Sequence, residues 1–359
     1  MRVVIAGGGT GGHLFPGIAI AEEFLKREKD AKVIFIGTKK GIESRLLGKL
    51  GYELKEIEIE GVKGRGMSAL AKVFYQIPKS LWQSRRILNQ FRPDIVLGVG
   101  GYASGPAVLA AHWMGIPTAV AEQNAIPGVT NKILGRVADK IFVTYAETEK
   151  YFSGKKVVWS GNPVRAAVAV RRDMKKEKKD IKQLLIFGGS QGAQAINKNV
   201  VEMLPFLQTM KDTIQVLHQT GLQQMEAVRE AYEKSGIRAI VTDFIVDMAG
   251  AYEKADLIIC RAGATSLAEI TVAGKAAILI PYPFAANDHQ SKNAEAMASR
   301  GAAVMIPEKA LTGRVLFDAV NDLLHNEERL RRIEENSLRM GKADAAAVIV
   351  DHCIQLAAH

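Results

Sequence analysis

Cysteine is scarce in this chain of 359 residues: only Cys260 and Cys353 occur. Neither has the spacing of a metal site or a redox pair, so disulfide frameworks and dithiol chemistry are set aside and a reducing, cytosolic setting is expected. Both thiols read as small core residues. Long apolar runs are missing too, none approaching the ~18–20 residues that a membrane-spanning helix needs. The opening segment MRVVIAGGGTGGH is a strand running into a glycine loop, without the charged-then-apolar order of a signal peptide. No Asp-x-Asp pair follows an apolar run, and no His, Asp and Glu residues cluster at metal-ligand spacing. No metal and no other cofactor is therefore expected.

Acid is absent from one stretch in particular. Between Glu60 and Asp94 there is no Asp or Glu, whereas Lys63, Arg65, Lys72, Lys79, Arg85, Arg86 and Arg92 all fall there and carry most of the net charge of +10. Interleaved at roughly helical spacing are Leu70, Val73, Phe74, Ile77, Leu81 and Trp82. Basic residues flanking exposed apolar ones describe a surface for anionic lipid. Lys72, Phe74, Ile77, Lys79, Leu81, Trp82, Arg85 and Arg86 are its candidate members. The competing reading is a helix whose apolar face is simply core. Nucleic acid is disfavoured, because no recognised binding motif accompanies the basic residues.

What is present is a repeated strand-then-helix pattern. The length fits two domains. Apolar, β-branched runs occur at Val3–Ala6, Lys32–Ile36, Ile95–Val99, Thr118–Ala121 and Lys140–Val143, and again at Leu184–Phe187, Ile214–Leu217, Ala239–Val241, Leu257–Cys260 and Ala277–Ile280. Runs that are apolar throughout, not alternating, imply parallel strands buried on both faces. An α/β fold with two doubly wound parallel sheets follows. The turn Gly161-Asn162-Pro163 and the Lys-rich stretch 171–180 mark a boundary, giving domains over 1–162 and 163–341. The apolar tail, 342–359, reads as one more helix packing back on the first domain.

Three glycine loops follow expected strands, at Gly7–His13, Gly98–Pro106 and Gly188–Gly192. Such a loop lets backbone N–H groups approach an anion at a helix N-terminus. The first, Gly7-x-Gly9-x-x-Gly12, formally matches a dinucleotide fingerprint, which demands an acid at the end of the second strand. That strand ends Phe35-Ile36-Gly37-Thr38-Lys39, so the acid is missing and a nicotinamide enzyme is disfavoured. His13 closes this loop at a helix start, where a neutral imidazole able to accept a proton is favoured; it could equally serve only to hydrogen-bond the loop. Thr10 and Tyr102 could orient a hydroxylated ligand or cap their own loops. Ser190 could cap the following helix and donate to a diphosphate. Glu269, beyond the small-residue turn that starts at Arg261, could accept from both hydroxyls of a ribose, or could be a surface acid at a helix start. The segment Asn287-Asp288-His289-Gln290 carries side-chain amides, on Asn287 and Gln290, suited to sugar hydroxyls.

These segments together resemble the MurG family of peptidoglycan N-acetylglucosaminyltransferases, over essentially the whole chain. The carriers are GGGTGGH at Gly7–His13, GGYASGP at Gly100–Pro106, EQNAIPG at Glu122–Gly128, GNPVR at Gly161–Arg165, GGSQGA at Gly188–Ala193, RAGATSLAE ending at Glu269, and DHQ at Asp288–Gln290. The resemblance implies the GT-B architecture, two Rossmann-like domains facing a central cleft. It implies an inverting hexosyltransferase that moves GlcNAc from UDP-GlcNAc to the C4 hydroxyl of lipid I, giving lipid II. For the donor it implies contacts from Thr10, Gly11, Gly12, Asn124, Arg165, Ser190, Ile245, Ala264, Thr265, Ser266, Leu267, Ala268, Glu269 and Gln290. His13 becomes the catalytic base, with Tyr102 beside it on the acceptor. His289 stands where some family members carry Gln, which leaves its contact open. Peripheral association with the cytoplasmic face of the bacterial inner membrane is implied, as are partners among cell-wall synthesis and division proteins. A UDP-GlcNAc 2-epimerase of similar two-domain shape is the alternative.

Overall fold

The computed structural model describes residues 1–39, 43–59, 67–171, 181–189 and 192–358, with the backbone alone given for residues 45, 67–75, 155 and 171. The chain divides into two compact units, Met1–Arg165 with Ala343–His359, and Ala166–Lys342.

In the first unit β1 (Arg2–Ala6), β2 (Lys32–Gly37), β3 (Glu53–Glu56), β4 (Ile95–Gly98), β5 (Thr118–Glu122), β6 (Lys140–Val143) and β7 (Val157–Trp159) form one sheet, ordered β3-β2-β1-β4-β5-β6-β7. Each pairing is parallel; Val3 lies opposite Val33 on one side and Ile95 on the other. Side chains alternate between faces along a strand. Val3 and Ile5 pack with Leu14, Ile20 and Phe24, whereas Val4 and Ala6 pack with Leu88, Ala107 and Val120. Parallel strands need crossovers, supplied by α1 (Gly11–Arg27), α2 (Glu43–Leu46), α3 (Met67–Phe91), α4 (Ser104–Trp113) and α5 (Val129–Leu134). The C-terminal helix, Ala345–Ala357, joins the face that holds Phe24, burying Ile349, Val350 and Cys353 there.

The second unit repeats the plan. β8 (Lys182–Phe187), β9 (Ile214–Gln219), β10 (Ala239–Thr242), β11 (Leu257–Cys260), β12 (Ala277–Leu279) and β13 (Val304–Met305) form a parallel sheet ordered β10-β9-β8-β11-β12-β13. Around it lie α6 (Ala166–Arg171), α7 (Gln194–Leu207), α8 (Met225–Ser235), α9 (Met248–Lys254), α10 (Ala264–Val272), α11 (His289–Ala298), α12 (Gly313–His325) and α13 (Glu327–Met340). Its core joins Leu184 and Ile186 to Val200, Met203, Leu316 and Val320. All the expected strands form. β3, β7 and β13 were not expected, and each is a sheet edge.

Strand order reverses between β1 and β4 in one unit and between β8 and β11 in the other. Open α/β sheets bind ligands at the carboxyl ends of strands flanking such a reversal. The glycine loops sit there.

Candidate active site

The first two glycine loops lock together. Gly101 adopts φ +81°, and a Cβ on it would fall 2.4 Å from the Gly8 carbonyl oxygen. A Cβ on Gly100 would lie 2.6 Å from His13 Nδ1. The loops therefore need glycine to bring the backbone after β4 against α1, and His13 is pinned where they meet. His13 Nδ1 lies 3.1 Å from Gln123 Oε1, and Gln123 Nε2 in turn donates to the Ala121 carbonyl at 3.1 Å. With its NH2 committed to a carbonyl, Gln123 presents only an acceptor, so Nδ1 of His13 carries the proton. Nε2 is left as the basic nitrogen. Thr10 is exposed; as the residue capping α1 it makes no side-chain cap bond, so its hydroxyl is not spent on its own loop. Tyr102 is 58% exposed, and Ser104, not Tyr102, ties down its loop by donating to the Gly101 carbonyl.

Next to this lies a buried carboxylate that sequence reasoning quoted only as part of a motif. Glu122 is 3% exposed at the end of β5. Its Oε1 accepts from Asn124 N–H at 2.9 Å and Asn124 Nδ2 at 3.2 Å, and its Oε2 accepts from Gly128 N–H at 3.1 Å and Asn131 Nδ2 at 2.8 Å. Burying a carboxylate is tolerable when its lone pairs are filled in this way. The consequence is a rigid 122–128 loop with Asn124 in one orientation. Arg165 stacks on Phe15, 5.3 Å from the ring centroid and two residues along α1 from His13.

In the second unit Ser190 and Gln191 lie outside the described residues; their neighbours do not. Gly192 takes φ +76°, and a Cβ there would collide with the Thr220 carbonyl at 1.9 Å. Beneath it runs a buried polar chain. Asn197 Nδ2 donates to the Thr220 carbonyl at 2.9 Å and to Gln224 Oε1 at 2.6 Å, so its Oδ1 accepts from His218 Nε2–H at 3.1 Å. Tyr232 OH then donates to His218 Nδ1 at 3.2 Å. Burial pushes His218 down to about 3 and pushes the Tyr232 phenol up, so both stay neutral. Gln219, also missed, bridges two loops, donating to the carbonyls of Gly189 at 2.8 Å and Asp243 at 3.3 Å. Ile245, just beyond, is buried and can offer only backbone, while Asp247 caps α9 through Gly250 N–H at 2.9 Å.

Glu269 is not a surface acid. It is 2% exposed in α10, and Tyr252 OH donates to its Oε2 at 3.1 Å. Ala264 and Leu267 are buried as well and can offer a ligand only backbone; Thr265, Ser266 and Ala268 are half-buried. Gln290 Oε1 accepts from Tyr282 N–H at 3.0 Å, which leaves its NH2 as the end it can present. Before it, Asn287 and Asp288 both sit at φ +53°, a left-handed conformation that Asn and Asp tolerate better than most residues. His289 Nδ1–H donates to the Ala286 carbonyl at 2.7 Å, so this ring is used within its own turn. Among the described residues no group of three or more His, Cys, Asp or Glu side chains is placed to hold a metal ion.

Helix α3 divides its faces as an amphipathic surface helix does. Ser80, Ser84 and Leu88 are buried, whereas Ile77 is 43% and Trp82 62% exposed. Arg85 and Arg86 are exposed, and the Arg86 guanidinium sits 5.8 Å from the Trp82 ring centroid. Lys79 is paired with Glu58 at 2.6 Å, which spends much of its charge, and Leu81 is half-buried. The side chains of Lys72 and Phe74 lie outside the described residues. Trp113, which the sequence reading passed over, stands 69% exposed at the end of α4, the helix against which α3 packs. Among the described residues no helix is long and apolar enough to cross a membrane.

Known proteins share both halves of this arrangement. Residues 3–143 match the glycosyltransferase family 28 N-terminal domain and residues 183–349 the glycosyltransferase family 28 C-terminal domain. A UDP-N-acetylglucosamine–N-acetylmuramyl-(pentapeptide) pyrophosphoryl-undecaprenol N-acetylglucosamine transferase of Syntrophus aciditrophicus is 53% identical, over 99% of each chain. One so named from Myxococcus xanthus is 47% identical over 99% of this chain and 93% of its own. The crystal structure of Acinetobacter baumannii MurG is similar with a TM-score of 0.80 at 32% identity, covering 99% of both chains. A UDP-GlcNAc 2-epimerase from Neisseria meningitidis, solved bound to UDP-GlcNAc, is similar at a TM-score of 0.68 but only 15% identical, a likeness of fold alone.

Proposed function

We infer the activity from family and site together: the chain belongs to the MurG family within glycosyltransferase family 28. It is a hexosyltransferase that moves GlcNAc from UDP-GlcNAc to the C4 hydroxyl of N-acetylmuramyl-(pentapeptide) pyrophosphoryl-undecaprenol, with inversion, in peptidoglycan synthesis.

The roles of individual residues are our reading. His13 Nε2 takes the proton of the C4 hydroxyl as its oxygen attacks the anomeric carbon. The bond to UDP breaks on the opposite face, so an α-linked donor yields a β-linked product. The observation that carries this is the chain from the Ala121 carbonyl through Gln123 to His13 Nδ1, which fixes the tautomer a base needs. General-base help of this kind contributes ~10²–10⁴-fold. Negative charge gathering on the diphosphate is met by N–H groups of the 188–193 loop, by Ser190, by the start of α10 and by Arg165. No metal enters this scheme. Glu269 holds the ribose, and the backbone at Ile245 reads the uracil. Gln290 and the segment Ala264–Ala268 contact donor sugar or phosphate, Asn124 and the segment Thr10–Gly12 approach the sugar, and Tyr102 faces the acceptor.

Trp82, Ile77, Arg85 and Arg86 seat the protein on the cytoplasmic face of the inner membrane, where the acceptor is anchored, and the apolar–basic face of α3 supports this. Other cell-wall synthesis or division proteins are proposed partners there. The test is to incubate the protein with UDP-GlcNAc, with and without a short-chain lipid I analogue. Disaccharide product that depends on the analogue supports the reading. Isomerised sugar formed from donor alone would favour the epimerase chemistry of the distant fold neighbours.

A further inference from the structure

The first glycine loop has the sequence form of a phosphate cradle, yet its place for an anion is already taken. Glu43, from α2, is 1% exposed and reaches back over the loop. Its Oε2 accepts from Gly9 N–H at 2.8 Å. Its Oε1 accepts from both Thr38 N–H and Thr38 Oγ1 at 3.0 Å. Gly8 sits at φ +135°, and a Cβ there would lie 2.5 Å from the carboxylate, so the group lies flat against the loop backbone. Gly37 is pressed as closely, its Cβ position 2.9 Å from Glu43 Cγ. In a dinucleotide-binding unit a pyrophosphate sits on this loop, at the N-terminus of the first helix, and the ribose is held at the end of the second strand. Glu43 spans those two places with one side chain, satisfying Gly9 on one side and Thr38 on the other.

We propose that Glu43 is the resident anion of the first glycine loop, filling it so that no diphosphate, nucleotide or lipid-linked, can bind there. The proposal rests on the reading that the second unit takes the UDP-sugar. It then explains how two units with similar glycine loops avoid competing for one nucleotide: the first loop is occupied from within. It also assigns the carboxylate a positioning role. Holding Gly9 fixes the turn that leads into α1 and hence the start of the helix that carries His13.

Glu43→Ser tests this, since it removes the carboxylate and leaves the N–H groups of Gly9 and Thr38 facing an opening. With UDP saturating, inorganic pyrophosphate is titrated calorimetrically into wild type and variant. The variant is expected to take up one pyrophosphate more than wild type, and formate is expected to compete for it. Equal uptake by a variant with unaltered circular dichroism and melting would overturn the proposal. Should Glu43→Ser not fold, Glu43→Gln keeps the volume while turning an amide NH2 against a buried N–H. It is expected to gain no pyrophosphate and to lower kcat about tenfold with KM for UDP-GlcNAc unchanged. Wild-type turnover in Glu43→Gln would equally overturn it. The donor assignment is checked apart from this by Glu269→Ala, which loses UDP whether or not Glu43 fills the first loop.

Discussion

Replacing Gln123 by Glu puts a charge beside His13 where the structure has a neutral acceptor. Gln123 is 1% exposed and its Oε1 lies 3.1 Å from His13 Nδ1. A carboxylate at that distance attracts an imidazolium by about 5 kcal/mol at an effective dielectric of ~20. Desolvation of the new carboxylate opposes this, and carboxylate–cation contacts commonly leave a net shift of about 1–3 pH units. His13 then stays protonated to higher pH in Gln123→Glu. A protonated ring cannot accept the C4 proton. The acid limb of the pH–kcat profile should accordingly move upward by about 1–3 units, with turnover recovered in alkali. Gln123→Leu should act differently. It removes the partner that fixes the tautomer, so kcat falls about tenfold, for roughly 1.4 kcal/mol, with no upward movement of the limb. The assay is initial transfer from UDP-GlcNAc to a lipid I analogue, both saturating, across the neutral and alkaline range. An unmoved limb in a folded Gln123→Glu protein would refute His13 as the titrating base.

Other consequences are open to measurement. Glu269→Gln keeps the contact with Tyr252 but weakens a charged acceptor for the ribose; KM for UDP-GlcNAc should rise about 10–100-fold, with a smaller change in kcat. An unchanged KM would remove Glu269 from the donor site. Trp82→Ala combined with Arg85→Glu and Arg86→Glu should weaken binding to phosphatidylserine-containing vesicles, by about 1 kcal/mol per basic residue lost and most strongly at low salt. Vesicle binding equal to wild type would show that α3 serves something else. His218 gives a stability prediction. The unfolded chain binds a proton on His near 6.5 and the folded chain only at about 3. The stability from neutral His218 is thus complete above pH 6.5 and is lost as pH falls toward 3, at about 1.4 kcal/mol per unit. Urea unfolding at several acid pH values should show that slope in wild type and lose it in His218→Gln.

How much of this could be read in the sequence depended on where a residue sits. The central strands are apolar throughout because they are covered on both faces, and such runs stand out in any sequence. β3, with sequence Glu53-Leu54-Lys55-Glu56, is an edge strand with polar faces and reads as loop. β7 and β13 are three and two residues long, too short for any period to register. Loop glycines announced the site for a related reason, since close backbone approach leaves no substitute for them. The groups that hold those loops did not announce themselves. Glu43 stands 34 residues from Gly9, and Gln123 stands 110 from His13, so nothing local in sequence links either to its partner. The missing acid at the end of β2 was a sound reason to reject a dinucleotide, but it hid that a carboxylate reaches Thr38 from five residues further on. Glu269 illustrates the opposite limit: its residue type was legible, and its burial under Tyr252 was not.

Hydrogen–deuterium exchange with UDP, the sugar omitted, tests most directly the division of labour proposed for the two units. Slowed exchange confined to residues 188–193, 243–247 and 264–269 is the expected result, with residues 7–13 unaffected. Protection of Gly7–His13 by UDP, with the second unit unchanged, would contradict it.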